Sequence, residues 1–188
     1  FIWNQYCDWY LELVKPILGK HNDDDTEKAR TRHTLLDVLE QALRLIHPLM
    51  PYISEEIWQQ TAPLLGTAGD TLMTQPYPAA TNGEDPQADA EIAWLQETLL
   101  GVRKIRADMN IAPGKALPLL ISGQDESAAR HLAQQERCLL ALGRLENVRV
   151  LAKDEAEPEA AAFMVDGAKN MIPLAGLIDK DAELARLD

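Results

Sequence analysis

Apolar residues recur at helical spacing four times before Pro113-Gly114, and after it the pattern changes to short apolar runs around one helical stretch. Such a change confines the chain to a helical part followed by a mixed part. In residues 1–18, Ile2, Tyr6, Trp9, Leu13 and Ile17 share one face, widened by Trp3, Tyr10 and Val14. Asn4, Asp8 and Lys15 lie opposite, with Phe1 on the same side, and Gly19 with the polar stretch after it ends the helix. A second helix is predicted over 26–46, with Leu35, Leu39, Ala42 and Ile46 on one side. His47-Pro48 stops it, because proline lacks a donor and disfavours a helical residue before it. A third helix runs over 51–61 with Ile53, Ile57 and Trp58 inward; Ser54, Glu55 and Glu56 suit its positive end. Residues 63–88, rich in Pro, Gly, Thr and Asp, read as a long connection. The fourth helix spans 88–110, with Ile92, Leu95, Leu99, Val102, Ile105 and Met109 as its stripe. Four amphipathic helices imply a bundle over residues 1–110.

Beyond Pro113-Gly114, residues 117–121 and 148–151 are short apolar runs suited to buried strands, with a helical stretch over 127–142 between them. Residues 161–165 and 170–174 flank Asp166-Gly167, a hairpin signal. Pro118 and Pro173 place their strands at an edge or mark irregular pairing. The expected fold is therefore mainly α: a helical bundle, a small α+β module over 111–178, and a helical arm beginning at 179–188 with Leu184 and Leu187. The chain opens and closes inside helical patterns, so it reads as a piece of a larger protein.

No apolar run approaches the roughly 20 residues of a membrane span, and no signal peptide is visible. Cys7 and Cys138 stand far apart and outside any ligand-like cluster, which predicts free thiols in a reducing cytosol. The 18 Lys+Arg against 30 Asp+Glu give a formal net charge of -12. That balance counts against non-specific nucleic-acid binding, which rests on phosphate neutralisation, but it leaves room for a small basic groove. The acidic loops at 21–25, 82–89 and 153–159 read as solvated surface.

Against this acidity, residues 102–115, VRKIRADMNIAPGK, place three basic side chains within four residues at a helix end. At roughly 100° per residue, Arg103, Arg106 and Asn110 fall on one strip beside the apolar stripe, while Lys104 and Asp108 form an i,i+4 pair elsewhere. Arg103 and Arg106 are expected to line a groove, either paired with a carboxylate or contacting a phosphate or base. On the first helix, Phe1 offers a stacking ring, and Asn4 and Asp8 offer base-edge partners. His21, His33, His47 and His131 are scattered, without metal-ligand spacing or a neighbouring nucleophile, and His47 reads as a satisfied helix-end residue. There is no glycine-rich phosphate loop, so the residues point to no catalytic, cofactor or metal site.

Five segments together resemble the C-terminal part of bacterial valyl-tRNA synthetases, which are class I aminoacyl-tRNA synthetases. They are WNQYCDWYLELVKP at 3–16, LIHPLMPYISEEIWQ at 45–59, LMTQPYP at 72–78, IRADMNIAPGK at 105–115 and MIPLAGLIDKDAELARL at 171–187. The HPxxPxxxEExW pattern is shared with isoleucyl- and leucyl-type enzymes; the Asn-Ile-Ala-Pro-Gly-Lys element at 110–115 is typical of the valyl branch. The resemblance implies an anticodon-binding bundle, a small α/β module and the start of a coiled-coil arm. It also implies a cytoplasmic, monomeric full-length ligase in which upstream domains activate valine with ATP and Mg and charge tRNA(Val). The His-Ile-Gly-His and Lys-Met-Ser-Lys-Ser signatures are absent, so the piece itself is expected to be inactive and to hold no cofactor. Asn4, Asp8, Arg103, Arg106 and Asn110 become candidates for the anticodon stem-loop, with Lys104 and Lys115 as weaker phosphate contacts. The rival reading is a helical module that braces the catalytic domain or binds a protein without touching RNA.

Overall fold

A computed structural model of the protein describes residues 1–20, 22–80, 83–122, 126–152 and 155–174, without the side chains of 126–128. The expected helix over 179–188 and His21 lie outside the described residues. Two compact units divide between Gly83 and Glu84.

The first unit opens with a π-helix, Ile2–Tyr10, that runs into α1 (Leu11–Leu18). After these come α2 (Asp25–Ile46), α3 (Pro51–Leu65) and a 3₁₀ turn, Leu72–Thr74. The π-helix corrects the single α-helix expected over 1–18. The Tyr6 amide donates to the Phe1 carbonyl at 3.2 Å, an i→i+5 bond. A wider turn changes which residues share a face, so Tyr6, Leu13 and Val14 are buried whereas Trp3 is 66% exposed. The Tyr6 hydroxyl donates to the Leu35 carbonyl on α2 at 3.0 Å. Burial first, then Tyr10 and Cys7, pushes its pKa up to about 12.

Asp24 caps α2 by accepting from the Thr26 and Glu27 amides, both at 2.9 Å. The α2–α3 core gathers Leu43, Trp58, Ala62 and Leu72, with Leu39 and Ile57 against it. Ile53, expected inward, is 50% exposed, and its neighbour Ser54 is fully buried. The Ser54 hydroxyl donates to the Met50 carbonyl at 2.7 Å and meets His47 Nδ1 at 2.8 Å, which satisfies the helix-end histidine. α3 outruns its expected end and closes on Gly66 in the left-handed region. Between the π-helix, α2 and α3 lies an apolar cleft of about 210 Å³, lined by Trp3, Tyr6, Leu39, Leu43, Ile53 and Ile57 among others.

The second unit comprises α4 (Pro86–Asp108), β1 (Leu117–Ser122), α5 (Glu126–Gly143), β2 (Leu145–Val150), β3 (Ala160–Val165) and β4 (Ala168–Pro173). The sheet order is β2-β1-β4-β3, with β1 and β2 parallel across the α5 crossover and the other pairs antiparallel. Asp166 and Gly167 both take positive φ, as a two-residue hairpin turn of this kind requires. Pro118 sits in an interior strand at the β1–β2 register shift, so irregular pairing accommodates it. Pro173 ends β4 opposite Ala160, beyond the residues that pair with β1.

The fourth helix packs on α5 and β3. Its buried residues are Trp94, Leu95, Thr98, Leu99, Val102 and Ile105. Periodicity grouped this helix with the first three, but a stripe states only that one face is buried, not what covers it. Gly101 makes the α4–β3 contact possible: a Cβ there would stand 2.2 Å from the Phe163 ring. Trp94 packs against His131 of α5 with ring centroids 5.3 Å apart. Cys7 is half-buried and Cys138 buried, and neither is in a disulfide. Among the described residues, no helix is long and apolar enough to cross a membrane.

Candidate nucleic-acid interface

The basic end of α4 is built by its helix stop. Asn110 takes a φ of 49°, its amide donates to the Ala107 carbonyl at 3.2 Å, and the Ile111 amide donates to the Arg106 carbonyl at 2.9 Å. These are the two bonds of a Schellman closure, which needs a left-handed residue just past the helix. Asparagine tolerates that conformation better than most side chains. The same closure ends α3, where the Thr67 amide reaches Ala62 O at 3.0 Å and Gly66 is the left-handed residue. The sequence recognised 110–114 as a stop; the structure assigns the turn conformation to Asn110 itself. Its side chain is exposed.

Arg106 corrects the expectation of a groove-lining guanidinium. Nη1 donates to Lys115 O at 2.9 Å, and Nη2 donates to Gly143 O at 3.1 Å and Arg144 O at 2.8 Å. One planar fork thus ties the end of α4, the approach to β1 and the turn from α5 into β2. Its Nε is buried without a partner among the described residues. Burial, and then the charge of Arg144, lowers the Arg106 pKa. Among the described residues, the partners do not include the carboxylate that the sequence weighed. They lie up to 38 residues away and are backbone atoms, which leave no side-chain pattern to read.

Arg103 and Lys104 are exposed one turn earlier on α4, and the side chain of Lys115 is exposed beyond its bonded carbonyl. The structure therefore gathers Arg103, Lys104, Arg106, Asn110 and Lys115 at one helix end, with Arg106 as the internal brace. Asn4 and Asp8 are exposed on the π-helix of the first unit. Phe1, beside them, is 75% exposed.

The HPxxPxxxEExW residues form a different kind of network. Trp58, 1% exposed, donates from Nε1 to Glu40 Oε1 at 2.9 Å. Arg44 donates to Glu40 Oε2 from Nε and Nη2 at 3.0 and 2.7 Å, and to Pro76 O at 2.9 Å. Glu55 accepts from Thr71 Oγ1 at 2.9 Å and from the Leu72 amide at 3.0 Å. Gln59, foremost, with Thr71 and Leu72, holds the Glu55 carboxyl below its usual pKa. The segment after α3 is thereby pinned to α2 and α3. Sequence reading missed Glu40 and Arg44, although their i,i+4 spacing on a helix was an available signal.

A helix-rich module that presents a cationic helix end, backed by a small mixed sheet, is the class that these features define. Residues 1–121 match the family model of the anticodon-binding domain of tRNA ligase. The chain belongs to that family, whose task is anticodon recognition on tRNA by an aminoacyl-tRNA synthetase.

Proposed function

We propose that this chain holds the anticodon arm of tRNA(Val) for a valine–tRNA ligase whose ATP- and Mg-dependent activation, transfer and editing reside in upstream domains. The observation that carries the valyl reading is the Asn110–Lys115 element in its place at the basic end of α4. Arg103, Lys104 and Lys115 bind backbone phosphates, and the exposed side chains of Asn4, Asp8 and Asn110 meet loop bases. Arg106 supports these contacts from behind by fixing the turns around it. Contacts made here position the distant acceptor end, converting binding energy into a higher charging rate. The full-length enzyme works as a cytoplasmic monomer.

The test compares full-length ligase with its Arg103→Ala variant in valine-dependent ATP–pyrophosphate exchange and in tRNA(Val) charging. Exchange is expected to survive while kcat/KM for tRNA falls. Unchanged charging by a folded variant would remove Arg103 from the RNA site, and exchange with another amino acid would remove valine. One observation favours the bracing reading as an additional role: the apolar cleft with Trp3, Met50 and Ile53 exposed at its lining. Trp3→Ser distinguishes the two roles, since lost bracing lowers valine activation as well as tRNA charging.

A further inference from the structure

We propose that Arg144, on the turn from α5 into β2, is an RNA-phosphate contact that carries the tRNA interface onto the sheet unit. This inference rests on the anticodon-arm reading above and names a residue that neither periodicity nor motif had marked.

The backbone supplies the first observation. Arg144 has a φ of 49°, the left-handed region that favours glycine and burdens a larger side chain. A glycine stands one residue earlier, but packing occupies it: a Cβ on Gly143 would lie 3.0 Å from Leu145 and 3.5 Å from Leu99. The turn therefore has two positions suited to glycine, and the exposed one carries arginine instead. Backbone strain held in place by its surroundings is a recognised mark of functional positions. Here the surroundings are explicit, because Arg106 Nη2 bonds the carbonyls of both Gly143 and Arg144 at 3.1 and 2.8 Å.

Charge supplies the second. Arg149 is bound by Glu155, and Lys169 by Glu157, so those cations of the sheet unit are already compensated. No carboxylate among the described residues pairs with Arg144. Its charge is close enough to act on Arg106, and Arg106 also holds the Lys115 carbonyl. Two guanidinium groups at one corner, beside an exposed lysine, attract an anion with several acceptor oxygens. An RNA backbone provides a row of them, and a side chain on a turn contacts phosphate without reading sequence.

The decisive experiment measures binding of an anticodon stem-loop to full-length ligase over a series of salt concentrations, for wild type, Arg144→Gly and Arg144→Lys. Glycine suits the left-handed backbone, so Arg144→Gly should match or exceed the wild-type Tm. Its slope of log Kd against log salt should nevertheless fall by about one phosphate contact, roughly 0.7–0.9. The loss should be uniform across loop sequences, and Arg144→Lys should restore the slope. An unchanged slope in Arg144→Gly overturns the assignment and leaves the anticodon-arm reading standing. A loss confined to one loop base also overturns it, since that outcome is base reading. A wild-type ligase that does not bind the stem-loop overturns both.

Discussion

Each unit hangs a connecting segment on one arginine, Arg44 in the first and Arg106 in the second. Arg44 divides its donors between the Glu40 carboxylate and the Pro76 carbonyl, and Glu40 is itself held by Trp58. Arg106 spends its fork on three carbonyls and, among the described residues, meets no carboxylate. The two devices do similar mechanical work and differ in what they leave behind. The first is electrically closed. The second adds a positive charge to a corner where Arg103, Lys104, Lys115 and Arg144 are already exposed. The second unit also contains compensated cations, Arg149 with Glu155 and Lys169 with Glu157, so the difference lies at this corner and not in the unit as a whole.

The largest effect should come from opening the closed device. Trp58→Ala removes a fully buried indole and one donor to Glu40, and is expected to destabilise the first unit by about 3–5 kcal/mol. Chemical denaturation followed on the first unit would detect it; a loss below about 1 kcal/mol would break the picture of Trp58 as the centre of that unit. Next is Arg106→Lys, which keeps the charge but cannot span three carbonyls, for an expected loss of about 2 kcal/mol. Wild-type stability in that variant would show that charge, not the planar fork, matters at this position. Smaller still, Asn110→Ala should cost about 1 kcal/mol while Asn110→Gly is near neutral, because the closure of α4 needs a left-handed residue. Equal stabilities would detach the turn from its asparagine.

The smallest effect concerns acid. The folded pKa of Glu55 is depressed, so its contribution is complete above the ordinary glutamate range and is lost as pH falls through the depressed value. Exchange protection of the Leu72 amide should therefore persist below the usual glutamate titration and then decline. Glu55→Gln should flatten that decline without altering protection in β4.

The helices and the Asp166-Gly167 hairpin were legible because each depends on local spacing or turn chemistry. The π-turns of residues 2–10 were not, since their apolar residues also fit a 3.6-residue repeat. Ile53 and Ser54 exchanged roles for a related reason: hydropathy favours burying isoleucine, whereas His47 and the Met50 carbonyl supply partners that let a serine be buried. At the basic corner the sequence named the cluster and the stop but not their division of labour. Arg103 and Arg106 look alike in the motif, and only the fold brings Gly143 and Arg144 to Arg106. Arg144 itself carried no signal beyond following a glycine at a helix end.

In the proposed function, the corner braced by Arg106 binds RNA phosphates through its exposed cations. Its most direct test is the salt dependence of tRNA binding by full-length ligase, wild type against the triple variant Arg103→Ala/Lys104→Ala/Lys115→Ala. The triple variant should show a slope of log Kd against log salt lower by roughly two, with wild-type Tm. An unchanged slope in a folded triple variant contradicts it.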